Sequence, residues 1–307
     1  MTEFPIVGLR SVAFGLPDPV AAARFYVAAW GLVVAAEQDG VICLRGTGLD
    51  HHLLSLHQAP APVILSISFR AASRAALDLI AVRAVAAGGQ LLHGVIPSRD
   101  AAGGVVLALR DPWGGIIRVV HGDRTHSPLP PDDLRPERLA HVNINSVDVD
   151  ALRVFFEEGL GFRLTDRSAQ MAFVRTNADH HAVVIAQSAA NGLNHVAFQL
   201  PRWESVMLAA GRMIDAGYPI AWGVGRHGPG DNIFAYFIGP AQFVIEYTAE
   251  VLQVDDDYPV GAPADWVWPP GRTDQWGIAP PKSEACKQAQ SFIRFAPADR
   301  VAAGYEG

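Results

Sequence analysis

Two stretches decide the architecture when set side by side: Leu9-Arg10-Ser11-Val12-Ala13-Phe14 and Leu139-Ala140-His141-Val142-Asn143-Ile144. Each alternates like a short strand and runs into a segment of helical spacing that carries an aromatic pair, Phe25-Tyr26 in the first and Phe155-Phe156 in the second. Each helix then ends at a glycine, Gly31 or Gly161, suited to the left-handed position that follows a helix. The offset is 130 residues at all of these points, and Asp50-His51-His52 matches Asp179-His180-His181 at 129. Further along, Ile64-Leu65-Ser66-Ile67-Ser68-Phe69 matches Leu193-Asn194-His195-Val196-Ala197-Phe198. Ala87-Gly88 matches Ala216-Gly217 at 129, and Ile116-Ile117-Arg118 matches Val244-Ile245-Glu246 at 128. An offset held within two residues over half a chain is a tandem duplication.

Within each half the quarters share a rhythm of strand, amphipathic helix and several strands. The expected fold class is therefore α+β, with four βαβββ modules paired into two tandem domains. Residues 1–124 form the N-terminal domain, and 125–137 a linker built on Ser127-Pro128-Leu129-Pro130-Pro131. Residues 138–250 form the C-terminal domain. Residues 251–307 are an irregular tail bearing Trp266, Trp268 and Trp276, expected to pack on a surface, to cover the site as a lid, and to be mobile at its end.

Composition narrows the function. Half of the 307 residues are hydrophobic and 18% are charged, a balance that buries a core rather than leaving the chain disordered. A net charge of −7 offers no basic stripe for phosphates, so neither nucleic acid nor an anionic membrane is an expected partner. Cys43 and Cys286 stand far apart and form no metal or disulfide pattern. The start, Met1-Thr2-Glu3-Phe4-Pro5, lacks the features of a signal peptide, and no apolar run nears the roughly 20 residues that span a bilayer. A cytoplasmic protein is expected.

The halves differ where chemistry would sit. The C-terminal copy has His141, His195 and Glu246 where the N-terminal copy has Ser11, Ser66 and Arg118. Two imidazoles and one carboxylate make a facial ligand set for a divalent metal that leaves positions open; two serines and an arginine do not. Strand alternation puts Leu139, His141, Asn143 and Asn145 on one face. Glu246, inside Phe243-Val244-Ile245-Glu246-Tyr247, would be costly as a carboxylate unless paired or metal-bound. Taken singly, a strand histidine or a strand-end glutamate is more often structural, but all three stand at equivalent module edges and all three are absent from the sister copy.

The pattern resembles the vicinal oxygen chelate (glyoxalase/bleomycin resistance) superfamily, and within it the type I extradiol catechol dioxygenases. The resemblance covers residues 6–250. It is carried by Leu139-Ala140-His141-Val142-Asn143, by Leu193-Asn194-His195-Val196-Ala197-Phe198 and by Phe243-Val244-Ile245-Glu246-Tyr247. His181, fourteen residues before His195, together with Gly225-Arg226-His227-Gly228 and Tyr236, is similar to the dioxygenase set of acid/base histidine, second histidine and substrate-contacting tyrosine. What the resemblance implies is an extradiol dioxygenase that inserts both atoms of O₂ into a catechol-type substrate with meta ring cleavage. Fe(II) is the first expectation for the metal and Mn(II) the second. His181 would be the proton-transfer residue, Tyr236 and His227 hydrogen-bond donors to substrate oxygens, and Asn143 a pocket contact. A homo-oligomer is expected. A metal-dependent isomerase or lyase of the same superfamily, or a non-catalytic binder of aromatic compounds, stays open as an alternative.

Pro270-Gly271-Arg272-Thr273-Asp274-Gln275-Trp276-Gly277 also resembles the tail of the arylacetate-cleaving extradiol enzymes, in which an arginine at the position of Arg272 helps bind the side-chain carboxylate. Those enzymes carry a further arginine five residues before the turn histidine, where this chain has Trp222. With half of that anion clamp replaced by an apolar ring, a neutral or apolar substituent is expected.

Overall fold

The computed structural model describes residues 4–297, so part of the tail end expected to be mobile lies outside the described residues. The first half runs β1 (Ile6–Leu16), α1 (Pro19–Ala28), β2 (Val33–Gln38), β3 (Val41–Arg45), β4 (Leu54–Gln58), β5 (Val63–Ala71), α2 (Arg74–Ala86), β6 (Gln90–Pro97), β7 (Val105–Arg110) and β8 (Ile116–His121). The second half repeats it as β9 (Arg138–Ser146), α3 (Val149–Val154), β10 (Arg163–Arg167), β11 (Met171–Arg175), β12 (Val183–Gln187), β13 (Gly192–Gln199), α4 (Trp203–Asp215), β14 (Trp222–Arg226), β15 (Ile233–Ile238) and β16 (Val244–Ala249). These are four βαβββ modules, as the repeat predicted.

Sheet topology makes the duplication explicit. The first sheet is ordered β2-β3-β4-β1-β5-β8-β7-β6, and the second β10-β11-β12-β9-β13-β16-β15-β14, the same path. In each, the first strands of the two modules pair antiparallel at the centre, and each is flanked by a parallel neighbour. Local chemistry starts and stops the helices at matching places. Asp18 accepts a hydrogen bond from the Ala21 amide and Asp148 from the Ala151 amide, N-caps worth about 1 kcal/mol each. Gly31 and Gly161 have φ of 90° and 79°, the left-handed backbone that other residues adopt only with strain.

The two sheets share one hydrophobic core. Trp30 from the first half stacks on Tyr247 of β16 with ring centroids 3.6 Å apart, and the Tyr247 hydroxyl donates to the Trp30 carbonyl at 2.8 Å. Phe14 of β1 stacks on Phe243 at 3.8 Å. Each such buried aromatic contributes roughly 1.5–3 kcal/mol by burial, and about 0.5–1.5 more for a well-placed ring pair.

The tail is more ordered than its composition implied. Ser283 caps α5 (Glu284–Gln290) by accepting from the Cys286 amide, and β17 (Arg294–Phe295) adds to β5 in parallel register. Just before it, the Ile293 carbonyl accepts from the Leu193 amide at 3.0 Å, so the tail ties the start of β13 to the N-terminal sheet. No helix among the described residues is long and apolar enough to cross a membrane.

Candidate metal centre

Strand register brings the proposed ligands together. His141 on β9 lies opposite Ala197, His195 on β13 lies opposite Asn143, and Glu246 on β16 pairs with Ala197 from the other side. The Nε2 atoms of His141 and His195 are 3.2 Å apart. Glu246 Oε2 lies 3.4 Å from the first and 3.0 Å from the second. All three side chains are buried, and they are the group of three or more potential ligands found among the described residues.

The donor set fits a divalent ion. Both Glu246 oxygens are buried without a hydrogen bond of acceptable geometry, despite the imidazoles beside them. Orphaned buried carboxylate oxygens are expensive, and a shared cation at the convergence point would satisfy them. His195 is held for that role by a chain of amides. The Asn145 amide nitrogen donates to the Gln290 carbonyl, the Asn194 amide donates to Asn145 Oδ1, and Asn194 Oδ1 faces His195 Nδ1 at 2.9 Å. Because Asn194 Oδ1 can only accept, Nδ1 carries the proton and Nε2 keeps its lone pair for the site. Burial pushes His195 down to about 4, with Glu246 partly opposing, so the ring is neutral at physiological pH. Burial pushes the Glu246 carboxyl up, but the neighbouring His141 outweighs it and holds the group well below the usual carboxylate range. Neutral imidazole and ionised carboxylate are the ligand states a metal requires.

Beside these residues opens a cavity of about 230 Å³. His141, Asn143, His181, His195, Trp222, His227 and Tyr236 all line it. His181 lies beside His141, ring centroids 4.5 Å apart, and is buried rather than part of a surface pair. Its Nδ1 meets His180 Nδ1 at 3.0 Å, and His180 Nε2 meets Asp166 Oδ2 at 2.6 Å. The Asp166 carboxylate accepts, so His180 carries its proton on Nε2 and offers Nδ1 as acceptor. His181 then donates from Nδ1, which leaves its Nε2 free as a base, a tautomer assigned from the network. Burial and the neighbouring imidazoles push His181 well below the ordinary histidine range. Tyr236 Oη lies 3.1 Å from His227 Nε2, and His227 stacks on Phe234 at 4.0 Å. Burial pushes His227 down to about 3 and Tyr236 well above its ordinary value. Asn143 Oδ1 is buried without a partner.

Two outcomes depart from the sequence reading. Arg272 is not among the cavity-lining side chains. Its Nε donates to the Asp274 carbonyl at 2.9 Å, and its guanidinium packs over Trp268. The tail instead delivers Lys282, whose ammonium sits 4.4 Å from the Trp222 ring centroid and 5.8 Å from that of Tyr236, and donates to Gln290 Oε1 at 2.8 Å. No carboxylate lies within 4.0 Å of it among the described residues, and burial pushes its pKa down. The expectation of a neutral substituent rested on Trp222 as an apolar wall. With an ammonium over that ring, the wall is cationic and the argument fails. Trp266, Trp268 and Thr273 of the tail also line the cavity. Asp166 and Lys282 sit at no motif spacing, and Asn194, though inside the quoted motif before His195, was given no role from the sequence.

In the N-terminal copy Arg10 Nη1 lies 2.8 Å from Ser11 Oγ and 2.6 Å from His52 Nε2, so the residues matching His141 and His181 are tied to a guanidinium.

Comparison with known proteins bears on the fold and the family. Residues 138–247 match the family model of the Glyoxalase/Bleomycin resistance protein/Dioxygenase superfamily. Over 139 residues the chain is 36% identical to metapyrocatechase 2 of Cupriavidus necator, a match covering 44% of this chain and only 41% of that protein. It is 24% identical over 260 residues to an iron-dependent extradiol dioxygenase of Rhodococcus jostii (strain RHA1), covering 74% of this chain and 85% of the relative. Among solved structures it is similar to the Mn(II)-bound glyoxalase from Novosphingobium aromaticivorans, with a TM-score of 0.84, 29% identity, and 92% and 94% of the two chains covered. The C-terminal half, with its buried His141, His195 and Glu246 beside the cavity, is a domain of the Glyoxalase/Bleomycin resistance protein/Dioxygenase superfamily.

Proposed function

We propose that this chain is an extradiol dioxygenase that opens a catechol-type ring with O₂ by meta cleavage, using Fe(II), or in second place Mn(II), held by His141, His195 and Glu246. One observation carries the reading: three buried ligand donors converge on a cavity whose other walls present His181, His227 and Tyr236. The names of the Cupriavidus and Rhodococcus relatives support it, and the Mn(II)-bound Novosphingobium structure keeps manganese as the second choice.

A bound divalent ion supplies Lewis acidity and a common anchor for substrate and O₂. The remaining work falls to this chain's own side chains. His181 Nε2 receives the catechol hydroxyl proton and returns a proton later, steered by the His180–Asp166 chain behind it. The Tyr236 hydroxyl and His227 Nε2 offer hydrogen bonds to the developing charge on the substrate oxygens. Met171, Phe173, Val184 and Trp222 surround the ring and exclude water. Lys282 uses one of its three N–H donors on Gln290, which leaves the others for an anionic ring substituent.

The likeness to a glyoxalase raises the isomerase alternative. Such enzymes commonly place a glutamate where a base is needed. Here the cavity-lining side chains among the described residues include no Asp or Glu, and Glu246 beside them is taken as a ligand, which leaves His181 as the base. Anaerobic reconstitution with Fe(II), followed by oxygen uptake on a panel of catechols with hydroquinone and gentisate as controls, tests the reading. Uptake with a catechol and a ring-opened yellow product is expected; uptake with no catechol refutes it.

A further inference from the structure

A second cavity of about 230 Å³ lies in the N-terminal half, lined by Gln38, Val41, Cys43, Ser55, Asp100 and Arg118 among others. It is the duplicated counterpart of the metal cavity. Gln38, Val41 and Cys43 stand 130 residues before Ser168, Met171 and Phe173, and Ser55 stands 129 before Val184; all four partners line the metal cavity. Register confirms the match. Cys43 pairs with Ser55 as Phe173 pairs with Val184, and Arg118 pairs with Ser68 across β5–β8 as Glu246 pairs with Ala197 across β13–β16. Smaller side chains at Cys43 and Ser55 have kept the space open while the chemistry changed sign.

That change of sign is the informative feature. Arg118 is only 8% exposed and lines the cavity. Among the described residues, its guanidinium makes no hydrogen bond, and no carboxylate lies within 4.0 Å of it. Asp100 faces the same space, but Arg10 holds its Oδ1 at 3.3 Å, the Ala102 amide donates to that oxygen at 2.8 Å, and His52 Nε2 lies 3.5 Å from Oδ2. At the mouth, Arg99 and Asp39 are exposed and of opposite sign. His57, bonded to Ser55 Oγ at 2.9 Å, is pushed down to about 4 by burial and then by the Arg118 charge, so it adds no cation of its own at neutral pH.

We propose that this N-terminal cavity binds a small carboxylate, gripped by the Arg118 guanidinium at the register position where the C-terminal copy carries Glu246. Asp100 across the cavity feels the Arg118 charge but makes no bond to it, so the guanidinium keeps its donors open, and its planar fork matches a carboxylate in bidentate fashion. Val41, Cys43 and Ala101 give the cavity an apolar side suited to a short hydrocarbon tail. The site requires neither the metal nor ring cleavage.

Isothermal titration of the full chain with butyrate, at matched ionic strength, with the isosteric amide butyramide as control, tests the proposal. Saturable butyrate binding without butyramide binding is expected. Arg118→Met, checked for folding by its melting curve, should weaken it by about 10- to 100-fold, the range for hydrogen bonds to a charged group. Val41→Met installs the residue of the sister copy at Met171; it should weaken binding by filling the cavity while touching no hydrogen bond of the site. Butyrate binding that survives Lys282→Met, which removes the anion contact of the other cavity, belongs to the N-terminal site. Absence of saturable binding, equal binding of the amide, or loss in Lys282→Met with retention in Arg118→Met would overturn the proposal.

Discussion

Replacing Asp166 by asparagine should silence the proposed catalytic base from two residues away. Asp166 and His180 are both fully buried, 2.6 Å apart, and Asp166 also accepts from the Gly261 amide at 2.8 Å through its other oxygen. In Asp166→Asn the new carboxamide would keep an acceptor for Gly261 and turn its NH₂ toward His180. Two donors cannot face each other, so His180 must give up its Nε2 proton and carry it on Nδ1. That proton then points at His181 Nδ1, and His181 is driven to the tautomer with hydrogen on Nε2, the atom that faces the cavity. The base becomes a donor at the moment it should accept. A wrong tautomer of this kind removes the general-base contribution, about 10²–10⁴-fold in kcat. The lost charge-assisted bond should cost about 1.5–3 kcal/mol of stability, which leaves a folded enzyme to assay. The measurement is oxygen uptake by Fe(II)-reconstituted protein, with metal stoichiometry determined on the same sample. Turnover within a few-fold of the parent at full metal occupancy would refute the relay. Loss of activity that merely tracks loss of metal would show Asp166 to be a scaffold residue.

The other predictions concern separate parts of the molecule. His141→Ala should abolish Fe(II) retention, whereas Ser11→Ala should leave one metal per chain, measured by elemental analysis; two metals per chain would contradict a single C-terminal site. Lys282→Met should raise KM for 3,4-dihydroxyphenylacetate by about 10-fold or more while 4-methylcatechol is little affected; equal changes for both would remove the anion-contact role. Burial pushes Asp111 up to about 6, against the hydrogen bonds donated to it by the Gly115 and Trp113 amides. Its folded pKa lies above the ordinary 3.8, so its stabilising contribution is complete below about pH 4 and lost as pH rises through about 6, on the order of 3 kcal/mol in all. Asp111→Asn should flatten that fall in the melting temperature, and an unchanged pH profile would show that Asp111 is not the group responsible.

What could be read from the sequence, and what could not, follows from how each residue is carried. His141, His195 and Glu246 ride on the central strands of a duplicated sheet, where register transmits sequence offset directly into spatial equivalence, so comparing the two copies finds them. His181, His227 and Tyr236 lie on or beside β12, β14 and β15 of the same sheet and came with the family pattern. Asp166 acts through His180 and touches nothing in the cavity, and Asn194 acts through His195; a residue that orients another leaves no periodic trace. Lys282 comes from a tail that has no copy to be compared with, and its place depends on Ser283 capping α5 and on Ile293 joining β13. Arg272 shows the reverse failure. The resemblance put it at the site, but the local turn gives its Nε to Asp274 and lays its guanidinium on Trp268, so its reach is spent before the cavity begins. Arg118 joins the two cases. Offset alone gave its position opposite Glu246, and sequence reasoning used it only to deny the N-terminal half a metal. Its guanidinium, buried and without a hydrogen bond among the described residues, turns that denial into a proposal: one register position, carried through a duplication, presents a carboxylate in one copy and a guanidinium in the other.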